Sequence, residues 1–245
     1  MTTPQEHYER VLAGHYTWMF GVPFEQKVSE QMDLLKQAGV MEPAAAVDLG
    51  AGPGFQAIAL ARMGAEKVIA VDTSAELLGE LEHHAKGLPV STHNIDLMTF
   101  DSILDVEPDT IVCMGDTLTH LRSIDDVRGL FRKVADVLSP NGRLVLSWRD
   151  LSAPPEGLDR FIPLRQDDER IMTCFLEDQG ATVQVHDLVY VQNQNGWQLQ
   201  KSAYSKLKLS PSWVESTLEE VGLNSSHQQN IRGMTLLAAK KSGGA

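Results

Sequence analysis

Three glycines, three carboxylates and one histidine carry the chemical content of this sequence. Val47-Asp48-Leu49-Gly50-Ala51-Gly52-Pro53-Gly54 is a short apolar run that ends in a turn with glycine at alternate positions. Glycine serves where backbone must turn tightly and come close to a ligand with no Cβ in the way. A dinucleotide fingerprint would place its third glycine where this chain has Phe55, and a P-loop would end in Gly-Lys-Ser/Thr, which is absent. Asp72 ends the next apolar run, Lys67 to Asp72. A carboxylate there can accept from both hydroxyls of a ribose, or it can cap the turn at Thr73-Ser74. Asp96, in Asn94-Ile95-Asp96-Leu97, can accept from the exocyclic amine of adenine or can be a surface loop residue. Further on, Gly115-Asp116-Thr117-Leu118-Thr119-His120-Leu121 holds a carboxylate and an imidazole four residues apart. His120 has the chemistry of a general base, or it packs under the following helix. Asp116 positions a cationic amine, or it orders the loop.

These positions need a scaffold that brings them to one edge. Residues 44–49, 67–72, 89–93, 109–114 and 143–148 read as short apolar strands. Helical patterns at 55–63, 74–86 and 125–138 alternate with them. Alternation of this kind indicates βαβ units and a parallel sheet with helices on both faces. Asp48, Asp72 and Asp96 then lie at consecutive strand ends, where open α/β sheets bind ligands. Before this core, Gln5 to Gly39 reads as helical, interrupted by the aromatic cluster His15 to Gly21 and by Pro23. After it, Leu151 to Gly157 is a Pro-rich loop. Arg170–Glu177, Thr182–Gln192 and Trp197–Leu209 follow as extended segments with hairpin breaks at Asp178-Gln179-Gly180 and Asn193-Gln194-Asn195-Gly196. A helix at Ser212–Val221 and two strands around Arg232-Gly233 complete the chain.

Read together, Asp48 to Gly54, Asp72, Asp96-Leu97, Ile111-Val112-Cys113-Met114 and Leu138-Ser139-Pro140-Asn141-Gly142-Arg143-Leu144 resemble the seven-stranded (class I) S-adenosylmethionine-dependent methyltransferases. The resemblance is strong over residues 44–148 and extends to the closing helix and strand pair. It implies an α/β, doubly wound, Rossmann-like seven-stranded sheet with its last strand antiparallel and an antiparallel β insertion after the fifth strand. The corresponding segments are an N-terminal helical lid (1–43), the cofactor-binding core (44–150), the insertion (151–210) and a C-terminal helix and strand pair (211–245). It implies S-adenosylmethionine as cofactor, with the methionine portion on Gly50, Gly52 and Gly54, the ribose on Asp72 and the adenine on Asp96. Asp48, Thr73, Leu97 and Met114 stand beside these groups. Tyr16 and Trp18 resemble the segment that closes over cofactor in small-molecule branches; aromatic faces attract a sulfonium, although such residues also serve as core packing.

The loop after the fourth strand lacks the Asn/Asp-Pro-Pro-aromatic signature of the DNA-adenine and glutamine methylating branches. Gly115 to Leu121 looks more like the loop of glycine N-methyltransferase and related enzymes, with Asp116 where those carry Asn. The expected function is methyl transfer to a small-molecule acceptor by in-line displacement, with Asp116 and His120 as the candidate catalytic pair. The alternatives are a nucleotide-dependent oxidoreductase on a related fold, disfavoured by Phe55 and Asp96, and a nucleoside-binding protein without turnover.

Composition narrows the partners. With 33 acidic against 21 basic residues and a net charge of -12, the chain opposes a phosphate-tracking surface, so no nucleic acid partner is expected. No stretch of about 18 apolar residues occurs, so no membrane partner is expected. No signal-peptide pattern opens the chain, and the two cysteines, Cys113 and Cys174, are far apart, so a reducing, cytoplasmic setting is expected. The eight histidines show no ligand spacing, and adjacent His83 and His84 point apart on a helix, so no metal is expected. A monomer and a homodimer are equally open.

Overall fold

The computed structural model describes residues 4–242. The chain opens with α1 (Pro4–His7), a π-helical turn (Tyr8–Leu12), α2 (Ala13–Met19) and α3 (Phe24–Gln37). Helix therefore runs through most of the aromatic cluster and breaks only at the Phe20 to Pro23 corner. Gly21 has a φ of 69° there, and Pro23 starts the next helix.

Alternation then begins as the apolar runs require: β1 (Ala45–Leu49), α4 (Phe55–Arg62), β2 (Lys67–Asp72), α5 (Ala75–His84), β3 (Val90–Asn94), β4 (Thr110–Cys113), α6 (Ile124–Val137) and β5 (Arg143–Trp148). After the insertion come α7 (Pro211–Glu219) and, past it, the two closing strands; the insertion itself supplies β6 (Phe161–Gln166), β7 (Arg170–Asp178), β8 (Thr182–Asn193) and β9 (Gly196–Leu207). The closing strands are β10 (Leu223–Ile231) and β11 (Met234–Lys241). The main sheet has seven strands in the order β10-β11-β5-β4-β1-β2-β3. β1 pairs in parallel with β2 and β4, while β11 runs antiparallel to β5 and β10. The fold class inferred from the sequence is the one observed.

Each strand feeds both faces because successive side chains alternate. Ala46, Val68, Val112 and Val145 meet Val28 and Leu35 of α3, Ile58 of α4 and Leu81 of α5 in one core. Val47, Leu49, Ile111 and Leu144 meet Leu130 and Phe131 of α6 and Leu218 of α7 in the other. Both faces are buried, which explains the near-continuous apolar runs.

The insertion is a four-stranded antiparallel sheet in the order β6-β7-β8-β9. Its first strand departs from the sequence reading, which assigns three extended segments. β6 is an edge strand with mostly exposed residues, contains Pro163 and has a bulge between Pro163 and Arg165. Proline is tolerated in such an edge and masks the strand signal. Tyr204 and Lys206 of β9 turn inward, whereas Tyr190 and Trp197 are exposed.

Candidate functional site

The crossing of the sheet order at β1, β2 and β4 leaves a cleft at the carboxyl ends of the strands, the site favoured in open α/β sheets. Its volume is about 470 Å³, and its walls include Tyr16, Gly50, Gly52, Asp72, Thr73, Asp96, Leu97, Thr117 and His120. The floor is the glycine turn. A Cβ at Gly50, where φ is 74°, would collide with the Thr117 side chain. Gly54, at φ 97°, starts α4 in the left-handed conformation and packs on Leu81, so a Cβ there would also collide. Both glycines thus satisfy backbone geometry as well as close approach. Gly54 supports the turn from behind and does not line the cleft.

Asp72 leaves the end of β2 with both oxygens oriented by backbone. Oδ2 accepts from the Gly52 amide at 2.8 Å and Oδ1 from the Ser74 amide at 2.8 Å. Burial pushes this carboxyl above its ordinary value, opposed by its bonds to the Ser74, Gly52 and Thr73 amides. With three amides on its roughly four acceptor sites, the carboxylate keeps one for a ligand hydroxyl. Asp96 is exposed and caps the short helix Leu97–Ile103 through the Met98 amide at 2.9 Å. Its other oxygen lies 3.7 Å from the exposed Arg122 guanidinium at the cleft rim. Both residues therefore combine a turn role with a cleft-facing carboxylate.

Asp48 sits one layer deeper. It is 1% exposed, and its Oδ2 has no hydrogen-bond partner among the described residues. Burial pushes its carboxyl up to about 8, aided by the neighbouring Asp72 charge. Met114 is likewise buried behind the cleft rather than in its wall.

The aromatic pair of the N-terminal segment is divided. Tyr16 lines the cleft, 3.7 Å from where a Gly52 Cβ would stand. Trp18 does not. Its indole donates to Asp167 at 2.5 Å, and the Arg170 guanidinium lies over its ring at 4.5 Å. Residues two apart on a helix point in different directions, so α2 can present only one of the pair to the cleft. Trp18 instead ties α2 to the turn between β6 and β7.

At the far end of the cleft the Asp116 and His120 pair separates in the same way. Asp116 is 3% exposed and does not line the cleft. Its carboxylate accepts from the Arg149 amide at 2.6 Å, from the Arg149 guanidinium, and from Lys206 Nζ at 3.0 Å. Although burial opposes ionisation, Lys206 and Arg149 hold the carboxyl well below the usual range. Its counter-ions in the structure are Lys206 and Arg149. His120 does line the cleft, with its ring edge-on to Tyr204 at 5.3 Å. Burial, then the adjacent Lys206, pushes its pKa down to about 3, against the opposing Asp116 charge. A general base should have a conjugate acid near the working pH. Burial and Lys206 thus favour the neutral imidazole of His120 over its protonated form.

Lys206 and Arg149, which hold Asp116, are not among the candidates read from the sequence; Tyr204, an aromatic residue of the insertion, packs on His120. The alternation of β9, which places residues 204 and 206 on one face, is the signal that points to them. Burial pushes the Cys113 thiol upward and the Cys174 thiol to about 12, which makes both poor nucleophiles. Among the described residues, no group of three or more His, Cys, Asp or Glu is arranged to hold a metal ion. No described helix is long and apolar enough to cross a membrane.

The lining suits one class of nucleoside. Asp72, Asp96 and Asp126 face the cleft, with Arg122 as the one lysine or arginine among the described lining residues. Carboxylates at the strand ends oppose a pyrophosphate and favour a nucleoside bearing positive charge. Comparison with known proteins agrees. Residues 46–142 match the methyltransferase domain family model. A glycine/sarcosine N-methyltransferase of Halorhodospira halochloris is 28% identical over 106 residues, 42% of this chain and 39% of that protein. Another, from Parasynechococcus marenigrum (strain WH8102), is 26% identical over 160 residues, 62% of this chain and 55% of that one. The chain thus spans about two fifths to just over half the length of these relatives. An amino pentose methyltransferase from Micromonospora echinaspora, solved with S-adenosylmethionine bound, shares the fold with a TM-score of 0.72 at 18% identity, over 92% of this chain and 94% of that one.

Proposed function

We propose that this chain, which carries a class I, S-adenosylmethionine-dependent methyltransferase domain over residues 46–142, methylates the nitrogen of a small amine. The observation that carries the reading is the continuous cleft running from Asp96 and Asp72, past Gly50 and Gly52, to Tyr16 and His120. One end has acceptors for a nucleoside, and the other has an aromatic face and a neutral imidazole. When bound, S-adenosylmethionine supplies a methyl carbon to which the acceptor lone pair bonds, as the carbon–sulfur bond breaks and its electrons remain on sulfur.

The residues divide the remaining work. Asp72 accepts from a ribose hydroxyl, and Asp96, beside Leu97, from the adenine amine. The acidic lining complements the ammonium and sulfonium of the cofactor, and the Tyr16 ring adds cation–π attraction. The segment bearing Tyr16 acts as a lid over the cofactor. His120 aligns the acceptor by hydrogen bonding rather than by proton removal, so the amine arrives with its lone pair available. Alignment is the main demand of in-line transfer. The nitrogen assignment draws on the glycine/sarcosine N-methyltransferases to which the chain is similar.

The test is incubation with methyl-labelled S-adenosylmethionine and a panel of glycine, sarcosine, amino sugars and matched hydroxyl and thiol compounds. Label transfer to an amine, with turnover rising as that amine deprotonates, is expected. Label entering only oxygen or sulfur acceptors overturns the nitrogen assignment. Binding of S-adenosylhomocysteine without transfer to any metabolite pool favours a nucleoside sensor.

A further inference from the structure

We propose that Lys206, reaching from the insertion sheet to Asp116, is a positioning residue that fixes where the His120 imidazole stands at the acceptor end of the cleft. The inference rests on the methyl-transfer reading above and gives the insertion a defined part in it.

Three observations converge on Lys206. The first is burial of charge. Its side chain is 9% exposed and its ammonium bonds the Asp116 carboxylate at 3.0 Å across 90 residues of chain. A buried lysine has a large desolvation cost and persists where a partner compensates it. The second is backbone geometry. Asp116 adopts a left-handed φ of 77°, costly for a residue with a Cβ. Surrounding contacts hold it there. Its amide donates to Ser147 O at 3.1 Å, its carboxylate accepts from the Arg149 amide at 2.6 Å, and Lys206 closes the arrangement from the other side.

The third is what Asp116 positions. It precedes the single turn Thr117–His120, and its carbonyl accepts from Thr119 Oγ1 at 2.7 Å. The conformation of Asp116 therefore sets the direction of the turn that ends in His120. β9 supplies the ring's other boundary, since Tyr204 packs edge-on to His120 two residues before Lys206. Tyr204 also packs on His7, with the rings tilted by 32° and their centroids 4.2 Å apart, and His7 pairs with Asp187 of β8 at 3.0 Å. The groups facing His120 are thus Asp116 on its own loop, Lys206 and Tyr204 on β9, and His7 on α1. Lys206 and His7 oppose protonation, while Asp116 favours it. The insertion sheet thus backs the His120 turn through Tyr204 and through the Lys206–Asp116 ion pair.

The experiment follows the imidazole directly and needs no acceptor. Side-chain NMR of histidine-labelled protein, with His120 identified through His120→Gln, gives the titration of that ring. Calorimetry with S-adenosylhomocysteine is run on each variant. In the unmodified protein His120 should stay neutral to the acid limit of the fold. In Lys206→Met its resonances should move and its midpoint rise by about 1–3 pH units, as expected when a like charge is removed. S-adenosylhomocysteine affinity should stay within about twofold, since Lys206 lies outside the nucleoside half. Should Lys206→Met fail to fold, Lys206→Arg keeps the charge but alters its reach, and should displace the His120 resonances. A His120 ring that titrates near its ordinary value in the unmodified protein overturns the proposal. So does a folded Lys206 variant with unchanged His120 resonances. Failure of the unmodified protein to bind S-adenosylhomocysteine would instead remove the methyltransferase reading.

Discussion

At the end of the cleft proposed for the nucleoside, Gly50, Gly52, Asp72 and Asp96 come from neighbouring strand ends, and the two carboxylates are oriented by backbone amides of their own or adjacent turns. At the end proposed for the acceptor, Asp116 and Arg149 follow the neighbouring strands β4 and β5, and Lys206 joins them from the insertion through side-chain charge. The first arrangement is local and follows from the sheet. The second is completed by Lys206 only once the insertion has docked. A backbone-built site loses little stability with a side chain, whereas a charge-built one loses more, and substitutions should divide along that line.

The largest effect is expected at Asp116. Asp116→Ala leaves Lys206 and Arg149 without their common counter-ion and should destabilise the fold by about 3–5 kcal/mol, as for broken buried pairs. Denaturant unfolding measures this. A loss below 1 kcal/mol would mean that water replaces the carboxylate and that the acceptor end is less charge-dependent than described. Asp72→Ala should leave the fold intact and weaken S-adenosylhomocysteine binding by about 1.5–3 kcal/mol, the range for hydrogen bonds to a charged group. Unchanged affinity in the folded variant would reduce Asp72 to a turn residue.

The contrast also governs what was legible in the sequence. Asp48 to Gly54, Asp72 and Asp96 could be read because each motif carries its strand, turn and residue in one contiguous stretch. The parallel core followed for the same reason, from apolar runs separated by helical periods. Tyr16 and Trp18 were not separable, since their helix was read as interrupted there and its phase was lost. β6 escaped because an exposed edge strand containing Pro163 has no alternating apolar face. The pairing of Asp116 with Lys206 was not visible because no local pattern links positions 90 residues apart. A strand lysine reads as solvated until its partner is known.

Acidity distinguishes the two ends in a further way. His120 has an ordinary value of 6.5 and a folded value of about 3. Between these the unfolded chain binds the extra proton, so this group makes stability fall as pH drops from about 6.5. Asp116, held below its ordinary range, adds to that loss only under more acidic conditions. Asp48 acts in the opposite sense. Its folded value of about 8 lies above the ordinary 3.8, so its contribution is present in acid and lost as pH rises through 8. Stability measured against pH should therefore show a shallower acid limb in His120→Gln and a shallower fall between pH 4 and 8 in Asp48→Asn. Superimposable profiles for the variants and the parent would contradict these assignments. The smallest effect is expected on the lid. Tyr16→Leu should weaken S-adenosylmethionine more than S-adenosylhomocysteine, by about 0.5–1 kcal/mol, because only the former carries the sulfonium charge. Equal weakening of both ligands would assign Tyr16 to packing alone.

The central claim is that the cleft is built for a positively charged nucleoside and not for a dinucleotide phosphate. Calorimetric titration of the unmodified protein with S-adenosylmethionine, S-adenosylhomocysteine and NAD tests it most directly. Saturable binding of the first two at one site, with NAD much weaker, is the predicted result; NAD binding more tightly than S-adenosylhomocysteine would contradict it.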